Sequence, residues 1–173
     1  MTDKELIEGC LKKNRSIQNE VYKRYGPKVF GICKRYMKDR ERAEEMVMNT
    51  FLQVFKKAGQ YKENGSFEGW IVKIAVNCCL MELRKKTNFS LEITPDDVQL
   101  PSGDDPATTN DDIRAMLKTL PEGARIVFNL FAIEGYKHTE IAERLRISEG
   151  TSKSQLHYAK EKLKLTFFNS DRI

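Results

Sequence analysis

The chain has 173 residues, 40% of them hydrophobic and 32% charged, with 30 Lys+Arg against 25 Asp+Glu for a formal net charge of +5. That size suits one large domain or two small ones with modest cores. No apolar run approaches the roughly 20 residues of a membrane span, and the most apolar stretch, Ile71 to Met81, is broken by Lys73 and Asn77, so no direct membrane insertion is expected.

Thr2 and Glu5 form a capping box before a short helix predicted through Lys13. Ser16 is placed to cap a second helix, which continues past Pro27 to about Lys38 with a bend expected at Gly26-Pro27. A third helix is predicted from about Arg40 to Ala58, and a fourth from just after Ser66 to near Lys86. Sustained period-two alternation is absent, so residues 1–90 read as an all-helical domain.

In the third helix Ala43, Val47, Phe51, Val54 and Ala58 fall within about 60° of one another and define a core stripe. The opposite side carries Glu41, Glu45, Met48, Asn49 and Leu52. Apolar side chains beside carboxylates on a wet face suit docking onto a basic partner helix, the plain alternative being two stray exposed residues. The loop Tyr61-Lys62-Glu63-Asn64-Gly65-Ser66-Phe67 combines aromatics, an amide and a flexible glycine, parts that hold single-stranded nucleic acid by stacking beside positive charge. The fourth helix has an apolar body of Trp70, Ile71, Ile74, Ala75, Cys78 and Met81 and a basic end of Arg84, Lys85 and Lys86. Lys73, Asn77 and Arg84 share one side, a track for a nucleic-acid backbone. By itself Trp70 reads as core.

Charge is distributed unevenly. Residues 1–90 hold 19 Lys/Arg and 11 Asp/Glu, a net of +8, and residues 113–173 hold 11 bases and seven acids, a net of +4. Between them, residues 91–112 carry seven acids, no base, and Pro95, Pro101, Gly103 and Pro106. Such a composition buries too little apolar surface to offset its ordering entropy, so a flexible acidic linker is expected. At about 3.4 Å per residue it would reach roughly 75 Å, about two turns of B-DNA. Two tethered basic modules could hold two separated DNA sites, although an acidic linker kept for solubility has the same composition.

In the last block Asp111 or Asp112 is placed to cap a short helix through Leu120. Pro121 opens another, with Ile126, Val127, Leu130 and Phe131 inward, that stops around Gly135. From Thr139 the pattern is a helix-turn-helix: Ile141, Ala142 and Leu145 form an apolar face, Arg146-Ile147-Ser148 the turn, and Ser148 the next N-cap. Ser152, Leu156, Ala159 and Leu163 should face inward. The far side presents Gly150, Ser154, His157, Tyr158 and Glu161, flanked by Thr151, Lys153 and Gln155. A second helix of this kind enters the major groove by its N-terminal part, where Gln can pair bidentately with adenine. Lys153, Lys160 and the helix N-terminus suit phosphates.

Catalytic or cofactor-binding constellations are lacking in the sequence. There is no Gly-rich phosphate loop, no carboxylate cluster on a shared face and no Ser/His/Asp or Cys/His arrangement, so neither an enzyme acting on a small-molecule substrate nor a nuclease is expected. His138 and His157 belong to no metal-ligand set. Cys10, Cys33, Cys78 and Cys79 lack CxxC spacing, and Met1 to Leu11 lack a signal-peptide core, which together point to a reducing cytoplasm.

Several stretches in order carry a resemblance. Tyr22-x-x-Tyr25-x-Pro27-x-Val29-Phe30 with Arg35-Tyr36, Ala43-Glu44-Glu45-x-Val47-x-x-Thr50-Phe51, and Phe67-x-Gly69-Trp70-Ile71-x-x-Ile74-Ala75-x-Asn77 ending in Leu83-Arg84-Lys85 occupy the first block. Leu120-Pro121, Glu140-Ile141-Ala142 and Ile147-Ser148-Glu149-Gly150-Thr151-x-Lys153-Ser154 occupy the second. Over about Ser16 to Leu165 the chain resembles bacterial RNA polymerase sigma factors of the extracytoplasmic-function (ECF) group of the sigma-70 family. The resemblance implies an all-α fold of two small helical domains, a region 2 bundle over residues 1–90 and a region 4 helix-turn-helix over 113–173, joined by the acidic linker at 91–112. It implies that Glu41, Glu45, Met48, Asn49 and Leu52 bind core RNA polymerase. It also implies that Tyr61, Asn64, Phe67, Trp70, Lys73, Asn77, Arg84 and Lys85 open and hold the −10 element. Ser148, Thr151, Lys153, Ser154, Gln155, His157 and Tyr158 would read the −35 element, the linker would thread toward the polymerase cleft, and an anti-sigma factor would be a further partner.

Three departures from the family pattern stand out. Glu45 and Met48 occupy positions usually held by Asp and Gln, Arg146 a turn position often held by glycine, and Ser152 and Gln155 positions usually held by valine and arginine. A free-standing helix-turn-helix regulator with an N-terminal sensing or dimerising domain is the alternative, and it would bind DNA without polymerase.

Overall fold

The computed structural model describes residues 1–85 and 109–170, with side chains described at 1–85 and 114–167. Residues 86–108, which include Lys86 and most of the linker expected over 91–112, lie outside the described residues. The chain divides into two compact units, Met1–Lys85 and Lys86–Ile173, and the described secondary structure is helical in both. Among the described residues no helix is long and apolar enough to cross a membrane.

Unit 1 contains α1 (Asp3–Leu11), α2 (Arg15–Tyr36), α3 (Arg40–Lys57) and α4 (Phe67–Lys85), with a 3-10 turn at Ala58–Gln60. The capping box is present, the Glu5 amide donating to Thr2 Oγ1 at 3.3 Å and the Thr2 amide to Glu5 Oε2 at 2.6 Å. The Thr2 amide, and then the Thr2 hydroxyl, donate to the Glu5 carboxylate and hold it below its usual range. Two helix boundaries differ from expectation. α1 ends at Leu11 rather than Lys13, and Lys13 takes a left-handed φ of 54° that turns the chain back. The cap of α2 is Asn14, not Ser16: its Oδ1 accepts the amides of Ser16 at 3.0 Å and Ile17 at 3.3 Å, because a short side-chain carbonyl at the cap reaches the first orphan donors. Pro27 lies inside α2, where burial of Val21, Tyr25, Val29, Ile32 and Tyr36 offsets the lost backbone bond.

The core of unit 1 forms where α2, α3 and α4 meet. Ala43, Val47, Phe51, Val54 and Ala58 are buried as expected, joined by Met46 and Thr50. The inward stripe of α4 differs from expectation: Phe67, Ile71, Ala75, Val76, Cys79, Leu80 and Leu83 are buried, whereas Met81 is 60% exposed and Trp70, Ile74 and Cys78 are half-buried. Ile71 to Met81 is apolar around most of its circumference, so periodicity alone does not choose a face and packing on α2 and α3 does. Cys33 of α2 and Cys79 of α4 meet in this core, and their hydrogen bond together with burial pushes the Cys79 thiol far above its ordinary value.

Unit 2 contains α5 (Thr109–Lys118), α6 (Glu122–Phe128), α7 (His138–Leu145) and α8 (Glu149–Ser170), with a π turn at Asn129–Ile133 after α6. α5 starts before Asp111 and Asp112, which are therefore inside it rather than caps, and residues 109–112 are helical rather than linker. Pro121 stands at the N-cap position and opens α6 as expected. The wider π turn rotates the side chains that follow. Phe131, expected inward, is half-buried and stacks on His138 at 4.5 Å. Gly135 then reverses the chain at φ 78°. Leu117, Leu120, Ala124 and Ala159 form one buried cluster, against which Phe128, Tyr158 and Leu163 pack. Ile126, Val127, Leu130, Ile141, Leu145 and Leu156 are also buried.

Candidate polymerase and nucleic-acid interfaces

The outer face of α3 carries the predicted group together. Met48 is 58% and Leu52 62% exposed, with Glu41 and Glu45 exposed beside them and Asn49 half-buried. Asp39 caps this helix by accepting the Arg42 amide at 2.8 Å, and Glu44 is engaged by Arg40 at 2.7 Å. An apolar pair on a rigid helix with carboxylates alongside can seat a basic partner helix.

The loop between the 3-10 turn and α4 borders an open-sided cavity of about 290 Å³ lined by Gln60, Tyr61, Lys62, Asn64, Gly65, Ser66, Gly69, Trp70 and Lys73. Three rings build it: Tyr61 lies 5.5 Å from Phe67 and 5.6 Å from Trp70, and Phe67 stacks on Trp70 at 5.8 Å. Phe67 is fully buried and does not line the cavity, so it cannot present its face to a base; it packs behind Tyr61 and Trp70, which do line it. The expected direct role of Phe67 is thereby corrected, because the first residue of α4 points into the core beneath Tyr25, 5.8 Å away edge-on. Asp3 of α1 accepts both the Tyr25 hydroxyl at 3.3 Å and the Phe67 amide at 3.4 Å, so the chain start props the site. Ser66 caps α4 by accepting the Gly69 amide at 3.0 Å. Lys73, Asn77, Arg84 and Lys85 are exposed along α4, in continuation of the cavity wall. Gln60 and Gly69 escaped the sequence prediction, although a glycine one turn from an N-cap serine signals close approach.

In the helix-turn-helix the turn geometry follows from Arg146, whose φ of 56° and ψ of 46° are left-handed. The Thr151 amide donates to Ser148 Oγ at 3.0 Å, so Ser148 is the cap of α8, and its hydroxyl also meets Thr151 Oγ1 at 2.9 Å. Gly150, Lys153, Ser154, His157 and Lys160 are exposed on one side of α8, while Thr151 is half-buried. Of the predicted contacts, Gln155 is turned inward and Tyr158 is half-buried. Gln155 is only 5% exposed, because Ser152, Gln155, Leu156 and Ala159 form the inward i, i+3, i+4, i+7 stripe. Tyr158 packs on the Leu117–Ala124 cluster, with the Lys162 ammonium over its ring at 5.9 Å.

His138, at the start of α7, reaches across to α8 through Nδ1 and Ser152 Oγ, 2.8 Å apart. Burial first, then Lys153 and Lys160, hold its pKa below the ordinary 6.5, with Glu149 opposing. Ser152 itself is fully buried.

A helical module with an aromatic-walled cavity beside a basic helix stands in one chain with a helix-turn-helix, an all-helical two-unit class of protein. Residues 21–89 match Sigma-70 region 2, and residues 110–163 match Sigma-70, region 4. The chain is 27% identical over 154 residues to ECF RNA polymerase sigma factor SigE of Mycolicibacterium smegmatis, covering 84% of this chain but only 60% of that relative. It is 23% identical to RNA polymerase sigma-H factor of Pseudomonas aeruginosa, over 92% of this chain and 90% of the relative. To ECF RNA polymerase sigma factor SigW of Bacillus subtilis it is 24% identical, over 95% and 96%. The fold is similar to CnrH, solved with the cytosolic domain of CnrY, at TM-score 0.54 and 18% identity over 96% of this chain and 97% of that one. It is also similar to sigma factor RpoE of Bartonella quintana, solved with the anti-sigma factor NepR, at TM-score 0.54 and 18% identity over 84% and 93%. The chain belongs to the sigma-70 family, as a sigma factor of the ECF group.

Proposed function

We propose that the chain binds core RNA polymerase and directs promoter-specific transcription initiation, capturing the opened −10 strand with unit 1 and reading the −35 element with unit 2. The observation that carries this is the cavity walled by Tyr61 and Trp70 and flanked by Lys62 and Lys73, a stacking platform beside positive charge. It lies within the segment that matches Sigma-70 region 2, where a stand-alone regulator would carry a sensing or dimerising domain instead.

Residue roles follow from exposure. Glu41, Glu45, Met48 and Leu52 seat the polymerase, with Asn49 at their edge. Tyr61, Asn64 and Trp70 hold an unstacked base, and Lys73, Asn77, Arg84 and Lys85 follow the backbone. On α8, Ser154 and His157 face base edges while Lys153 and Lys160 meet phosphate, and Ser148 and Thr151 set the helix entry. In this reading polymerase supplies the chemistry and the chain has no catalysis of its own. It acts in the cytoplasm, and an anti-sigma factor holds it, a partner of the kind seen bound to RpoE of Bartonella quintana. The acidic residues of 91–112 act as a charge mimic in the nucleic-acid channel of the polymerase.

The test is reconstitution with core polymerase on genomic fragments. The expected result is co-migration with core and discrete start sites that require the chain. Duplex shifts by the chain alone, without polymerase-dependent melting, would favour the regulator reading.

A further inference from the structure

The loop that forms the cavity doubles back tightly, with Glu63 at φ 56° and Gly65 at φ 102°. Its lower end is fixed by the Ser66 cap on α4. Its tip is fixed by one side chain: the Tyr61 hydroxyl donates to the Gly65 carbonyl at 2.6 Å, at the short end of the O–H···O range. The Tyr61 ring is held at the same time against Phe67 and Trp70. One residue therefore locks the wall and the rim of the cavity together.

We infer that Tyr61 is a positioning residue whose hydroxyl ties the loop tip to the aromatic wall, so that the cavity is shaped before an unstacked base arrives. This rests on the strand-capture role proposed above. Ordering a free loop residue costs backbone entropy, and that cost falls on binding unless the loop is already held. The hydroxyl proton is committed to Gly65, so Tyr61 acts on the nucleic acid through its ring and through the loop, not as a hydrogen-bond donor to a base or phosphate. A phenylalanine would keep the stack and lose the tie.

The chain has a single tryptophan, Trp70, and it lines this cavity, so its emission in the free full-length chain reports on the loop. In Tyr61→Phe, acrylamide quenching of Trp70 is expected to rise and its emission to shift red, with the thermal midpoint retained. In holoenzyme, measured against core alone with a labelled pool of randomised single-stranded DNA, the variant should bind roughly fivefold more weakly, the equivalent of one hydrogen bond. The slope of log affinity against log salt should stay unchanged, because no phosphate contact is lost. Unchanged quenching overturns the inference, as does unchanged strand affinity or a shallower salt slope. If wild-type holoenzyme binds the pool no better than core alone, strand capture itself fails and this inference falls with it; if only the variant fails to differ, strand capture stands.

Discussion

Arg146 shows what a single residue concedes to a turn. Its left-handed backbone is strained for any side chain with a Cβ. Arg146→Gly should stabilise unit 2 by about 1 kcal/mol, read as a higher denaturant midpoint with unchanged far-UV signal. His138 is a second such position. Its folded pKa lies below 6.5 while the unfolded chain titrates at the ordinary value, so acid favours proton uptake by the unfolded state. Stability contributed by the neutral, Ser152-paired ring is complete above about pH 6.5 and falls as the pH drops from there toward the depressed folded pKa, below which the loss is full. Thermal melts across that window should show the fall in wild type and a flatter profile in His138→Asn, which keeps a polar group beside Ser152.

The outer face of α3 is decided at the scale of the element. Asp39 at its N-cap and the stripe from Ala43 to Val54 hold the helix, and neither involves Met48 or Leu52. Leu52→Glu should therefore change folding stability by no more than about 0.5 kcal/mol, yet weaken association with core polymerase at least tenfold in a competition assay. Loss of stability without loss of association would place the pair in the fold rather than at the interface. α8 divides in the same manner. Exposed Lys153 and buried Gln155 are two positions apart but belong to opposite faces. Lys153→Ala should lower the slope of log affinity against log salt for −35 duplex by about 1. Gln155→Ala should leave that slope alone and instead destabilise unit 2 by about 1–3 kcal/mol, seen as a lower denaturant midpoint.

For the whole molecule, charge sets how the parts work together. Net charges of +8 in residues 1–90 and +4 in residues 113–173 give modest attraction to duplex, and attachment to polymerase supplies the effective concentration that either module lacks. The isolated chain should consequently show weak duplex binding, while holoenzyme binds far more tightly and with a steeper slope of log affinity against log salt, because polymerase adds phosphate contacts of its own. Filter binding of chain and holoenzyme across a salt series checks this; equal slopes and equal affinities would mean that the chain engages DNA by itself.

Local chemistry settled much in advance: the Thr2–Glu5 box, the Ser148 cap, the stripe of α3 and the helix-turn-helix spacing depend on residues within a turn or two of each other, and such interactions survive translation from string to structure. The order of motifs from Tyr22 to Ser154 likewise carried the family. Packing decided the rest. Which face of the nearly all-apolar α4 turns inward, the burial of Gln155 and Phe67, and the inward lean of Tyr158 depend on neighbours far away in the chain. Asp3 propping Phe67 from 64 residues away is such a neighbour. A polar or aromatic side chain has the same local propensity whether a partner helix covers it or water does, and only the assembled fold makes that choice.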